Sequence, residues 1–172
     1  MTARSGLALA GLLFSVVAGC GASPAPESRD VPVAVGSVGV DPLTESPVIM
    51  LEEENGARIL PIWIGMNEAR SIVLGMESVP SPRPNTHDLA KRLLTQLDAN
   101  VERVVVTELR SGTYYAVLVV ITNGRRLEID ARPSDAIAIA LRTDAPVFVR
   151  EALFQDATDD TLIERSEEAI DL

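Results

Sequence analysis

From position 31 the chain alternates between apolar and other residues. Val31, Val33 and Val35, then Val38 and Val40, stand two apart, and this predicts one long strand because successive side chains of a strand point to opposite faces. Residues 48–52 and 57–64 are apolar-rich and flank Asn55-Gly56, a dipeptide favoured in tight hairpins because both residues tolerate positive φ. Residues 67–76 then place Ala69, Ile72, Val73 and Met76 at helical spacing, with Asn67 as the expected N-cap. The same order returns further on. Strands are expected over 101–109, 114–121 and 125–130, turns at Ser111-Gly112 and Asn123-Gly124, and a helix over 135–142 capped by Ser134 behind Pro133.

Laid side by side without a gap, residues 60–74 and 127–141 match at Leu60/Leu127, Ile62/Ile129, Ala69/Ala136, Ile72/Ile139 and Leu74/Leu141, and Glu68 falls on Asp135. Either a duplication or convergent use of one hairpin and cap chemistry produces such matches. Both give the same fold class, α+β, with antiparallel hairpins packed against helices. Residues 87–97 predict a further helix with Leu89, Leu93, Leu94 and Leu97 on one face and Lys91, Arg92 and Gln96 outward. Residues 136–141 are apolar all round, as a central buried helix requires. A strand over 147–150 and a short helix or turn over 151–157 follow, and residues 158–172 read as an acidic, solvated tail. Long apolar strands such as 114–121 leave a sheet face to cover, so a homo-oligomer is expected.

The N-terminus has a different character. Arg4 precedes an apolar run from Leu7 to Val17, shorter than the roughly 20 residues that span a bilayer, and small residues then lead to Cys20. Val17-Ala18-Gly19-Cys20 resembles a bacterial lipobox, in which the Cys is diacylated and becomes the first mature residue. The expected organisation is a lipoprotein signal peptide over 1–19, a flexible linker over 20–32, one domain over 33–157 and the tail over 158–172. It implies a protein of the cell envelope, tethered through Cys20 to a membrane on a non-cytoplasmic face, since several buried acyl chains make release slow.

Composition narrows the functions open to this domain. Of 172 residues, 15 are Lys or Arg and 25 are Asp or Glu, a net charge of −10, so no general attraction for polyanions exists and phosphate binding must be local. Aromatic residues make up only 3%, too few for an extended base-stacking surface. One Cys excludes an intramolecular disulfide and a Cys-based zinc site, and one His excludes a His-rich metal centre. Gly-rich phosphate loops, Ser nucleophile elbows and HExxH helices are absent from the sequence.

Candidate chemistry gathers at the expected helix starts: Glu68, the pair His87-Asp88, and Asp135. A helix N-terminus carries about half a positive charge, which favours carboxylates and neutral imidazole there. Pro133 forces Arg132 into an extended conformation, so its guanidinium projects beside a helix entrance with Asp130 and Asp135 on either side. Two carboxylates flanking an Arg would hold a divalent ion and a phosphate together, because Mg²⁺ takes a few carboxylates, waters and phosphate oxygens. The same residues would equally serve as dipole-compensating acids and a corner-fixing ion pair.

Four ordered segments carry a family resemblance: Pro61-Ile62-Trp63-Ile64-Gly65 followed by Glu68-Ala69; Arg83-Pro84-Asn85-Thr86-His87-Asp88-Leu89; Ser111-Gly112-Thr113-Tyr114-Tyr115-Ala116; and Ile129-Asp130-Ala131-Arg132-Pro133-Ser134-Asp135-Ala136-Ile137-Ala138. Over about residues 33–157 the chain resembles the bifunctional nuclease domain family, in a lipoprotein-like form. The resemblance implies phosphodiester hydrolysis of DNA or RNA, with His87, Asp88, Arg132 and Asp135 as candidate catalytic positions. A metal-assisted version would hold Mg²⁺ or Mn²⁺ among Glu68, Asp88, Asp130 and Asp135. The alternative is a non-catalytic binding or structural module tethered at the membrane surface.

Overall fold

The computed structural model describes residues 29–80, 82–156 and 170–171. The expected signal peptide, Cys20 and most of the acidic tail lie outside the described residues. The described elements are β1 (Asp30–Asp41), β2 (Ser46–Glu53), β3 (Ile59–Trp63), α1 (Met66–Met76), α2 (Thr86–Gln96), β4 (Ala99–Arg110), β5 (Thr113–Thr122), β6 (Arg125–Ala131), α3 (Pro133–Thr143), β7 (Val147–Arg150), α4 (Glu151–Asp156) and β8 (Ile170–Asp171). The fold is α+β, and each expected strand and helix falls within a few residues of its place. β1 begins at Asp30, so the strand expected from Val31 overlaps the end of the expected linker.

One sheet runs β3-β2-β1-β7-β4-β5-β6, with β8 beside β1. Every pairing is antiparallel except β4 with β7. The order is the same read outward from β7 in either direction: β1, β2 and β3 form one meander, β4, β5 and β6 the other, and each ends at a sheet edge and enters a helix. This is the repeated unit expected from the alignment of residues 60–74 with 127–141. The two Asn-Gly turns differ, however. Asn123 and Gly124 both take positive φ, whereas Gly56 alone does so in the first hairpin, where Asn55 Oδ1 instead accepts from Ala57 N at 2.9 Å.

The core lies between the helices and alternate strand positions: Val33, Ile49, Leu51, Leu60, Val104, Val106, Leu118 and Val120 meet Ala69 and Ile72 of α1 and Ala136, Ile137 and Ala140 of α3. As the all-apolar run predicts, α3 is central, with Ile137 fully buried and Ile139 partly so. Burying one such side chain stabilises the fold by about 1.5–3 kcal/mol.

Three local expectations are corrected. The N-cap of α1 is Gly65 rather than Asn67, and that of α3 is Arg132 rather than Ser134, which is buried inside the first turn. Pro133 explains the second case, because proline suits the first helical position and so puts the cap one residue earlier. The third correction concerns α2. Leu89, Leu93 and Leu97 are exposed, while Leu94 packs against the core and His87 is buried. The polar contacts of His87 and Asp88, described next, set the rotation of this helix in place of its leucine stripe.

Candidate functional site

Although β3 and β6 lie at opposite ends of the hydrogen-bonded order, the helices that follow them begin side by side. The sheet must curl to allow this, and Ile62–Gly65 and Arg132–Ser134 accordingly line one cavity. At the meeting point Arg132 bridges the halves. Its Nη2 donates to Glu68 Oε1 at 2.8 Å and to Asp135 Oδ1 at 3.0 Å, and its Nε donates to Asp135 Oδ2 at 2.7 Å. Glu68 and Asp135, aligned with each other in the sequence, thus share one guanidinium. Space at Gly65 makes this possible: a Cβ there would stand 2.3 Å from Glu68 Oε2.

Behind Asp135 the network turns inward. His87 Nε2 lies 3.1 Å from Asp135 Oδ1, and His87 Nδ1 lies 2.8 Å from the buried Ser71 Oγ. Ser71 Oγ also accepts from Asn85 Nδ2 at 3.1 Å and Arg142 Nη2 at 3.0 Å. Asn85 Oδ1 accepts from Asp88 N, which fixes the amide orientation and leaves Nδ2 as the donor. Two incoming donors fill the lone pairs of Ser71 Oγ, so its proton points to His87 Nδ1. The imidazole therefore carries its hydrogen on Nε2 and donates it to Asp135. With both ring nitrogens engaged, His87 orients Asp135.

Asp88 belongs to a different cluster. Its Oδ1 accepts from Arg142 Nε at 2.6 Å and its Oδ2 from Asn85 N at 2.9 Å, which closes a capping box with Asn85. Arg142, with a side chain only 8% exposed, also donates to Ala138 O at 2.8 Å and to Ser71 O at 3.1 Å. One guanidinium therefore ties α1, α2 and α3 together. Asp130 is elsewhere again. It pairs across from Val117, on the sheet face opposite the one Ala116 and Leu118 give to the core, and its charge is felt by Arg110.

The expected metal quartet is thus divided among three places, because the alternation of β6 and the cap of α2 aim Asp130 and Asp88 away from Glu68 and Asp135. Among the described residues no group of three or more His, Cys, Asp or Glu side chains is placed to hold a metal ion. What remains is a pair of carboxylates, the number Mg²⁺ commonly takes from protein when waters and phosphate oxygens complete its shell. Ser71, Asn85 and Arg142 were not anticipated. Only Asn85 left a signal, an Asn three residues before an acid.

The electrostatics follow the hydrogen bonds. The Glu68 carboxyl is held below the usual range by its own backbone N–H in the first turn and then by Arg132. For Asp135 burial is the largest influence and works upward, but hydrogen bonds from Arg132 and His87 outweigh it and the net shift is downward. Arg132 is pushed up by the same two carboxylates. Its side chain is nonetheless 65% exposed, and its Nη1 has no hydrogen-bond partner among the described residues. It overlooks a cavity of about 670 Å³ whose walls include Glu68, Arg70, Ser71, His87 and Asp135. The cavity thus presents two cations against two carboxylates, with free guanidinium donors at its mouth.

A family model described as the bifunctional nuclease domain matches residues 49–161, which include every residue of this network. An uncharacterized protein of Mycobacterium tuberculosis is 42% identical over 125 residues, covering 73% of this chain and 74% of that protein. Bifunctional nuclease 1 of Arabidopsis thaliana is 32% identical over 111 residues, and bifunctional nuclease 1 of Oryza sativa subsp. indica 28% identical over 109. The aligned segments are 62% and 61% of this chain but only 34% and 33% of those plant proteins.

Proposed function

The chain belongs to the bifunctional nuclease domain family, and from that membership we propose that it hydrolyses phosphodiester bonds of DNA or RNA at the corner where Glu68, Arg132 and Asp135 meet. The observation that carries this reading is the half-engaged Arg132. A guanidinium anchored on one side by two carboxylates and open at Nη1 is oriented without being satisfied, as a phosphate-binding group should be. Charge that develops on the phosphate oxygens during hydrolysis would be met by donors already in position. Asp135, with His87 Nε2–H fixing one of its oxygens, is the carboxylate best held to orient an attacking water.

Glu68 and Asp135 are also the residues that would hold Mg²⁺ or Mn²⁺; when bound, such an ion supplies Lewis acidity and offsets phosphate repulsion. The remaining steps belong to the chain itself: Arg132 binds and orients the phosphate, Asp135 orients water, and the Ser71-His87 pair keeps Asp135 in place.

The test is cleavage of end-labelled single-stranded and duplex DNA and RNA by purified protein with Mg²⁺ or Mn²⁺. Arg132→Gln should lower turnover at least 100-fold, and Asp135→Asn should lower it strongly with the fold intact. Wild-type activity in both variants would show that hydrolysis occurs elsewhere, and activity that survives chelator would remove the ion. The acidic balance of the chain favours the other reading, a non-catalytic module. Absence of cleavage across metals, pH and substrates would establish that module instead.

Location and assembly are separate proposals. Lipidation at Cys20 would place this chemistry on a non-cytoplasmic membrane face, and mass spectrometry of the mature N-terminus would find a diacylglyceryl-Cys or end that idea. The homo-oligomer is decided by sedimentation.

A further inference from the structure

Arg132 is a wall shared by two cavities. Beyond it, on the side away from His87, lies a half-open cavity of about 300 Å³, walled by the β3–α1 corner, the β4–β5 turn and the start of α3. Six of the 172 residues are aromatic, and two of them, Trp63 and Tyr114, line this one cavity. Both residues are partly exposed. Trp63 Nε1 donates to Oδ2 of the fully buried Asp41 at 2.8 Å. The indole is therefore anchored from below and offers the cavity apolar ring surface. Gly112 contributes to the wall without a side chain, and nothing lies within 4 Å of where its Cβ would stand, which leaves room for a flat ligand.

We propose that this cavity is a nucleobase subsite: a base of single-stranded nucleic acid stacks against Trp63 and Tyr114 while the adjoining phosphate is held by Arg132. The proposal rests on the phosphodiesterase reading and deepens it. Every base has a π-face, so stacking tolerates any sequence and supplies affinity that an acidic protein cannot draw from long-range charge. Bases inside a duplex are already stacked and cannot enter without being extruded, so single strands are the preferred substrate. A local pair of rings beside one guanidinium also suits a chain too poor in aromatics for an extended platform.

Because Trp63 is the sole tryptophan of the chain, its emission reports on the site directly. Short single-stranded oligonucleotides should change the Trp63 fluorescence of the intact protein on binding. A sugar-phosphate oligomer of the same length with no bases should bind more weakly and leave the emission unchanged. Tyr114→Leu should weaken binding of the base-containing strand about 10-fold to 100-fold and leave the abasic oligomer unaffected, in line with the cost of losing one stacking partner. An abasic oligomer that binds as tightly as the normal strand, or a Tyr114→Leu protein that binds the normal strand like wild type, overturns the subsite. If cleavage persists in that case, with its dependence on Arg132, the phosphodiesterase reading stands alone. If no oligonucleotide is bound or cut, both fall together.

Discussion

Replacing Arg142 by Met keeps an unbranched side chain in the same buried space and removes a guanidinium that serves three helices. Four hydrogen bonds go: to Asp88 Oδ1 at 2.6 Å, Ala138 O at 2.8 Å, Ser71 O at 3.1 Å and Ser71 Oγ at 3.0 Å. The two carbonyl oxygens sit in helices and keep intrahelical partners, so their loss is minor. Asp88 dominates, because removing one member of a buried ion pair costs about 3–5 kcal/mol when the other charge is left unpaired. Its side chain is 28% exposed and keeps Asn85 N–H, which lowers that figure. A net loss of about 3 kcal/mol is the reasonable expectation, given about 2–3 kcal/mol for the ion pair and a fraction of that for the remaining bonds. With a urea slope of roughly 1–3 kcal/mol/M for small proteins, the unfolding midpoint should fall by about 1–3 M. Adding Asp88→Asn removes the orphaned charge, so the double variant should recover part of the loss. A loss below about 1 kcal/mol for Arg142→Met, the range of an exposed surface pair, would refute the idea that this residue clamps the helices.

Gly75→Ala should destabilise, although alanine ordinarily favours a helix by about 0.5–1 kcal/mol, because the new methyl would stand 3.1 Å from the pinned Arg142 Nη1 and 3.2 Å from Leu141 Cβ; thermal melting gives the sign. Gly65→Ala should displace the Glu68 carboxylate and lower the affinity for a phosphodiester substrate with little change in folding stability, read as binding against urea midpoint. Glu68, Asp88 and Asp135 are all lowered from their ordinary values, about 3.9 for Asp and about 4.3 for Glu, so their contribution is complete above that range and is lost as pH falls below it through the folded values. Urea midpoints should accordingly be flat from neutral pH down to that range and then drop. In Arg132→Gln the drop should be shallower, because the shifts at Glu68 and Asp135 that depend on the guanidinium shrink.

The strands, their turns and the buried α3 were legible because their causes are local. Alternation, a Gly or Asn where φ is positive, and an unbroken apolar run act within a few residues. The rotation of α2 was not legible. Its leucines predict one buried face, and bonds from His87 to Ser71 and Asp135, and from Asp88 to Arg142, impose another. Those partners lie 16, 48 and 54 positions away in the chain, beyond the reach of any periodicity. The same limit divides the candidate acids. Glu68, Arg132 and Asp135 were singled out correctly as neighbours of helix starts, yet nothing in their spacing distinguishes them from Asp88 and Asp130, which the fold sends elsewhere. Ser71 is an unremarked mid-helix serine until Arg142, 71 positions later, reaches it.

The span of those bonds has a consequence for how the protein comes into being. Glu68 waits 64 positions for Arg132, and His87 waits 48 for Asp135. A chain emerging from a ribosome or a translocation pore can complete β1 to α2 while holding only Glu68 and His87 of the corner, since loops that long must close before their contacts give anything back. Glu68 and His87 are made first, and Arg132 and Asp135 arrive together at the start of α3. The corner of Glu68, Arg132 and Asp135 therefore assembles only once α3 has docked, and under the proposed function a chain interrupted before residue 132 should show no hydrolysis however well its first half has folded.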